Sequence, residues 1–214
     1  MSTDARGHWN AVYGSKRAEE LSWFQPHARV SLELARLALP DKSAPILDVG
    51  GGASRFVDDL LADGYRRITV LDLAPAGLAL TRARLGAAAA QVTWVEADAL
   101  SLPLPDASVD LWHDRAVFHF LTAPEERTRY VEQVRRVVRP GGFVLVATFA
   151  SDAPPRCSGL PVVRYDPEDL HRVFGPDFEP VAERREVHLT PGGNPQPFTY
   201  CLYRFAPQPQ GQKR

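Results

Sequence analysis

The sequence is short of sulfur: two cysteines, Cys157 and Cys201, and one methionine in 214 residues. Two cysteines so placed form no metal-ligand spacing and no disulfide framework, so the reading is a pair of reduced thiols and no metal. Cys201 alternates with apolar neighbours in "FTYCLYRF", as a core residue would. Charge of one sign is equally scarce. A formal net charge of −1 offers no general attraction to nucleic acid, whose binders carry a basic face, so no nucleic-acid partner is expected. The local basic text, "VRRVVR" at 134–139 and Arg184–Arg185, reads as solvated faces. No run approaches the roughly 18 consecutive apolar residues that cross a bilayer. The opening "MSTDARGHWN" lacks the apolar centre of a signal peptide, and the expectation is a cytoplasmic chain with no membrane partner.

What is present is ordinary globular composition, 44% apolar and 24% charged, in a length that suits one well-buried domain. That domain is expected over 1–206, with helices in 1–40, a core at 44–150, and a loop and edge hairpin at 151–206. The polar, proline-rich end, 207–214, reads as a disordered tail.

Apolar strands alternate with amphipathic helices along the core. Strands are read at 44–49, 67–73, 91–98, 108–115 and 141–149, and helices at 54–64, from Pro75 to about Leu85, and at 123–138. The alternation predicts parallel strands joined by crossover helices, a doubly wound α/β sheet. The rhythm then changes. A short helix at 167–174 precedes two strands, 178–189 and 198–205, which form an antiparallel hairpin on the sheet edge and bring the expected sheet to seven strands. Two helices, in "DARGHWNAVYGSK" and "HARVSLELARLAL", come before the first strand.

In a sheet of this kind ligands sit at the carboxyl ends of the strands, which puts "ILDVGGGAS" (46–54) at the ligand. Glycines there let backbone approach a ligand closely, and the next helix start favours an electron-rich group. A dinucleotide fingerprint would need a glycine at position 55, which is Arg55, and a phosphate-cradling loop would need a Gly-Lys-Ser/Thr ending. Neither is present. What remains is an acid before the turn, Asp48, three glycines, Gly50, Gly51 and Gly52, and a second acid, Asp72, ending the next strand where a carboxylate can accept ribose hydroxyls. A ligand with a ribose, no pyrophosphate and a zwitterionic end suits that set. Asp48 as a helix cap and Asp72 as a mere strand end are the plainer alternatives.

Across five segments in order, from Asp48 to Phe149, the chain resembles the class I S-adenosylmethionine-dependent methyltransferases, whose fold is Rossmann-like. "LDVGGGAS" resembles the first motif, with Ser54 where the family often has another glycine. "VLDLA" resembles the second, with Asp72 as the ribose acid followed by Leu73. "EADALSLPLPDASVDLW" is similar to the third and fourth, in which Asp98 receives the adenine amine and the Ala99 backbone meets the ring. "HDRAVFHFL" and "VRRVVRPGGFVLVATF" resemble the segments around the fourth and fifth strands. The resemblance implies S-adenosyl-L-methionine as cofactor and methyl transfer by in-line displacement to a small-molecule acceptor. Protein lysine methylation, whose enzymes carry Asp-Lys-Gly-Thr where this chain has "DRAV", and a cofactor-binding module without catalysis stay as alternatives.

Methyl transfer needs alignment and exclusion of water, and a base only where the nucleophile arrives protonated. His119, a few residues past the fourth strand, is the candidate base or substrate orienter, or else a histidine packed under the loop. His113, within the strand end, reads as a satisfied polar group. Asp114 is expected to hold the methionine amino group or its backbone rather than to transfer a proton, and Arg115 to reach the substrate or lie on the surface. Trp9 and Tyr13, four residues apart, share a helical face; the resemblance implies that they fold over the cofactor as a lid, with Trp23 beside the substrate. The alternative is that these aromatics only glue the first helices to the sheet. Cys157 and Arg164, in the loop after the fifth strand, are the remaining substrate-side candidates. A loose likeness of the opening segment to thiopurine- and tellurite-type methyltransferases does not fix the acceptor.

Overall fold

In a computed structural model, residues 3–207 are described. All of the expected tail except Pro207 lies outside them. The elements are, in order, α1 (Thr3–Ser15), α2 (Arg29–Ala38), β1 (Ile46–Val49), α3 (Phe56–Ala62), β2 (Ile68–Asp72), α4 (Pro75–Leu85), β3 (Val92–Glu96), β4 (Val109–Arg115), α5 (Pro124–Val137), β5 (Val138–Phe149), β6 (Arg156–Cys157), β7 (Leu160–Pro161), α6 (Pro167–Phe174), β8 (Phe178–Leu189) and β9 (Pro195–Phe205). Seven strands form one sheet in the order β3-β2-β1-β4-β5-β9-β8. β9 runs antiparallel to both of its neighbours and the other pairings are parallel, so the expected doubly wound sheet with an antiparallel edge is what forms.

Local chemistry sets the ends of the helices. α4, α5 and α6 each begin with proline in the first turn, where its missing N–H leaves no bond unmade. In α5, Glu125 and Glu126 face the positive end of the helix dipole and Arg135 and Arg136 the negative end. Two strand starts come three residues earlier than the sequence expectation, those of β5 and β9. β5 starts at Val138, not Gly141, because Val138 pairs with Val109 before a register shift, and Gly141 at φ 84° carries the irregularity inside the strand. The hairpin is also longer than expected, since Leu189 pairs with Pro195. The small β6–β7 ribbon had no signal in the sequence.

Strand alternation divides the core into two layers. Ile46, Val70, Leu111 and Leu145 pack toward α2 and α3, whereas Leu47, Val49, Trp112 and Val144 pack toward α5 and α6. At roughly 25 cal/mol per Å² of apolar area removed from water, these layers supply most of the folding drive. Chain order reverses between β1 and its neighbours β2 and β4, which opens a crevice beyond Val49 and Arg115.

Candidate functional site

The crevice is floored by the turn after β1. Gly50 has φ 68°, a conformation that side chains disfavour, and an added Cβ would run into Val117. At Gly52 a Cβ would meet the Tyr13 hydroxyl and the Asp72 carboxylate. The turn is tied down by Gly51 N–H donating to Leu71 O at 3.1 Å, and Ser54 Oγ accepts from Phe56 N–H at 3.1 Å at the start of α3.

Two carboxylates flank this turn. Asp48 lies on the α2/α3 face of β1, in register with His113 of β4. His113 Nδ1–H donates to Asp48 Oδ1 at 2.7 Å, and its Nε2 meets Ser31 Oγ at 2.9 Å. The second Asp48 oxygen, Oδ2, is buried without a hydrogen bond, and Asp48 lines the crevice. Asp72 ends β2, accepts Ala74 N–H at 2.8 Å, and is bonded by the Tyr13 hydroxyl. Burial pushes its carboxyl up to about 7, with the Asp48 charge adding to the rise. Burial first, and then the Asp72 charge, raise the Tyr13 phenol well above its ordinary value.

Above the floor the crevice widens into a chamber with aromatic walls. Trp9 and Tyr13 of α1 do share one face, and that face closes the chamber. Trp9 meets Trp23 edge-on at 5.7 Å and Phe120 at 5.0 Å, and Tyr13 meets Trp23 at 5.9 Å. The strap that carries Trp23 is clipped to the sheet: His188 Nε2 reaches Ser22 O at 2.8 Å, and Gln25 Nε2 donates to Glu186 Oε1 at 2.8 Å. Of the expected site residues, Trp9, Tyr13, Trp23, Asp48, Gly50, Gly51, Ser54, Asp72, Leu73, Ala99, Arg115 and Cys157 all line this space.

Five do not, each for a physical reason. Asp114 is turned away because β4 alternates: Trp112 and Asp114 face α5, where Asp114 accepts Val117 N–H at 2.9 Å, Phe118 N–H at 3.0 Å and Tyr130 O–H at 2.5 Å. Burial pushes its carboxyl up to about 6. It braces the loop rather than facing the crevice. His119 is fully buried in a short 3-10 turn that presents Phe120 to the chamber instead. Its Nδ1 accepts Phe149 N–H at 3.3 Å, and burial, with the Arg115 charge, pulls it down to about 3. Arg164 is exposed and braces its loop by donating to Ala153 O at 3.0 Å. Asp98 accepts Leu100 N–H at 2.9 Å at a β-bridge, outside the lining, although Ala97 and Ala99 on either side are in it. Gly52 is covered by Tyr13.

The sequence reading missed Phe120 and Gln25 in the lining, and Tyr200 and Glu186 behind it. Arg115 pairs with Ala147 and Ala147 with Tyr200, so a small residue in the middle strand lets the guanidinium reach the phenol, Nε to Oη at 2.9 Å. Only strand register carries that signal.

A doubly wound sheet with a glycine turn, a buried acid on each side of it and no phosphate-cradling sequence defines a nucleoside-binding α/β protein. The Methyltransferase domain family matches residues 47–146, the span from β1 to β5 that builds the turn and both acids. A "probable S-adenosylmethionine-dependent methyltransferase" of Mycolicibacterium smegmatis is 37% identical over 131 residues, 61% of this chain and 47% of that relative. The ubiquinone/menaquinone biosynthesis C-methyltransferase UbiE of Roseobacter denitrificans is 36% identical over 117 residues, 52% of this chain and 44% of that protein. The chain thus spans about half the length of these relatives. Among solved structures, the N-methyltransferase NodS of Bradyrhizobium japonicum, at 15% identity, shares the fold with a TM-score of 0.70 over 94% of this chain and 100% of that one. Residues 47–146 thus carry a methyltransferase domain, and these comparisons support the class I S-adenosylmethionine-dependent methyltransferases as the family and S-adenosylmethionine as the cofactor. The crevice fits that group: the unpartnered Asp48 oxygen suits an ammonium donor, and the Gly50 and Gly52 positions leave no room for a side chain.

Proposed function

We propose that this chain transfers a methyl group from S-adenosylmethionine to a small-molecule acceptor enclosed in the aromatic chamber. The observation that carries the reading is the continuity of that chamber with the glycine turn, one space lined both by Gly50, Asp48 and Asp72 and by Trp9, Trp23 and Phe120. A bulky polypeptide would have to displace α1 and the clipped strap to enter. One domain over 1–206 serves both halves of the space, and the two buried free thiols, Cys157 and Cys201, suit a reducing cytoplasm.

In this reading Asp72 would take the ribose hydroxyls, Asp48 Oδ2 the amino group, and Leu73 and Ala99 would flank the adenine. The cofactor supplies a methyl on a sulfonium whose departure is neutral and needs no proton. The residues of the chain contribute alignment and dryness: orientation alone is worth up to about 7–11 kcal/mol, and the aromatic walls exclude water. Among the described residues, the histidine that lines the space, His113, is bonded on both sides, and His119, whose Nε2 is buried without a partner, lies outside the lining. The nucleophile therefore enters ready to react, as an anion or a free lone pair.

The test is incubation with methyl-labelled cofactor and a cell extract fractionated by size. Label in the small-molecule fraction is expected. Label confined to a protein band would replace this reading with protein methylation, and binding of S-adenosylhomocysteine with no label anywhere would make the chain a binding module.

A further inference from the structure

Above the glycine turn the chamber wall is largely aromatic and apolar, and Arg115 is one of the charged side chains in it. The Arg115 guanidinium stands beside Cys157 and Trp23, with only 9% of its side chain exposed. A buried cation is costly unless its donors are paired. Those of Arg115 are paired in part. Nε donates to Tyr200 Oη at 2.9 Å, Nη1 donates to the Trp23 carbonyl at 3.2 Å, and the face of Phe198 lies 4.3 Å from the guanidinium carbon. Nη2, which carries two N–H donors, is buried and makes no hydrogen bond. Glu186 approaches it to 3.8 Å, an ion pair without a hydrogen bond. Both Glu186 oxygens are already engaged, Oε2 by Tyr200 O–H at 2.6 Å and Oε1 by Gln25 Nε2 at 2.8 Å. The surroundings thus fix the guanidinium in place and leave Nη2, on its Glu186 side, without a hydrogen-bond acceptor, in a residue that lines the chamber.

We propose that Arg115 is the anion-binding residue of the acceptor chamber, and that the acceptor is a compact aromatic molecule bearing a carboxylate or phenolate oxygen that docks on Nη2. The inference rests on the methyltransferase reading above and narrows it to a substrate class. A charge-assisted bond to a fixed guanidinium gives orientation as well as affinity, since the planar donor set admits few poses. Held there, the ring would pack among the aromatic walls of the chamber, Trp9, Trp23 and Phe120. Lysine would not replace the arginine: its three donors radiate from one nitrogen, whereas the guanidinium spreads its donors over a plane that spans Tyr200, Trp23 and the guest.

The test uses the full chain loaded with S-adenosylhomocysteine, whose binding is measured first. Failure at that step strikes the methyltransferase reading, whereas later failures strike this inference alone. Two probe pairs are then titrated at millimolar concentration by calorimetry, 2-naphthoate against 2-naphthamide, and 4-nitrophenolate against 4-nitroanisole. The anionic member of at least one pair is expected to bind about tenfold or more tighter than its neutral partner, the gain of one charge-assisted hydrogen bond. The pair that shows the preference tells carboxylate from phenolate. In Arg115→Gln the preference should vanish while cofactor binding is retained, and in Arg164→Gln both should persist. Equal binding within both pairs, no binding by any probe, or an anion preference that survives Arg115→Gln would overturn the proposal. Should Arg115→Gln not fold, the comparison within the wild-type chain decides alone.

Discussion

Asp72 sits at the bottom of the crevice with its carboxyl pushed up to about 7, and that single displacement has two consequences of opposite direction in pH. Without cofactor, the native chain holds the Asp72 proton more tightly than the unfolded chain does, between the ordinary value of 3.8 and about 7. Native stability therefore falls as pH rises through that window and levels off above it, by ~4 kcal/mol in all at about 1.36 kcal/mol per pH unit. Asp114, raised to about 6 by burial, contributes with the same sign over a narrower range, so the Asp72 share is isolated by comparing wild type with Asp72→Asn. The asparagine variant should lose most of the slope and be the more stable of the two near pH 8. Cofactor binding behaves in the reverse way. In the proposed reading the ribose hydroxyls would donate to the ionised carboxylate, so loading would require the proton to leave. Affinity should fall as pH drops below about 7, by up to about tenfold per unit. Calorimetric titration of S-adenosylhomocysteine in buffers of different ionisation enthalpy reads the released proton directly. An affinity that is flat from pH 5.5 to 8, with no proton release, would refute the reasoning, as would an Asp72→Asn variant that keeps the full slope.

Other outcomes follow from the same geometry. Asp114→Ala strands two backbone N–H groups and the Tyr130 hydroxyl, and should cost about 3 kcal/mol or more in urea unfolding while leaving the cofactor affinity of the folded protein unchanged; a large affinity loss would instead seat Asp114 at the ligand. His119→Gln should leave the pH profile of methyl transfer, followed with labelled donor, as it is in the wild type; loss of a limb of that profile would restore the imidazole as a base. Gly50→Ala places a side chain at φ 68° against Val117 and should weaken cofactor binding more than tenfold in the same calorimetry, the effect of about 1–2 kcal/mol of backbone strain plus steric contact.

How far the sequence speaks depends on whether a feature is local. The strands and helices of the core, the glycine turn and its acids were legible because hydrophobic period and turn chemistry act within about ten residues. The aromatic face of α1 was legible for the same reason: Trp9 and Tyr13 are one helical turn apart. What stayed hidden depends on strand alternation and register. In "HDRAV" three polar residues stand in a row, and nothing local says that His113 and Arg115 face the chamber side while Asp114 faces α5. His119 looked reactive from its place after β4, yet one tight turn put Phe120 in the space it was expected to fill. The Arg115–Tyr200 pairing joins residues 85 apart through a third strand, and is visible only once β4, β5 and β9 are laid side by side.

The phenol of Tyr13 has a further bearing on how the molecule is filled. Its ring is wedged against Gly77 and Gly52, and its hydroxyl already holds the carboxylate that a nucleoside would claim. In the proposed reading a guest arriving there would compete with the Tyr13 hydroxyl for Asp72, and Trp9 on the same helix is also a panel of the second compartment. Seating the first guest would then be felt by the second through α1.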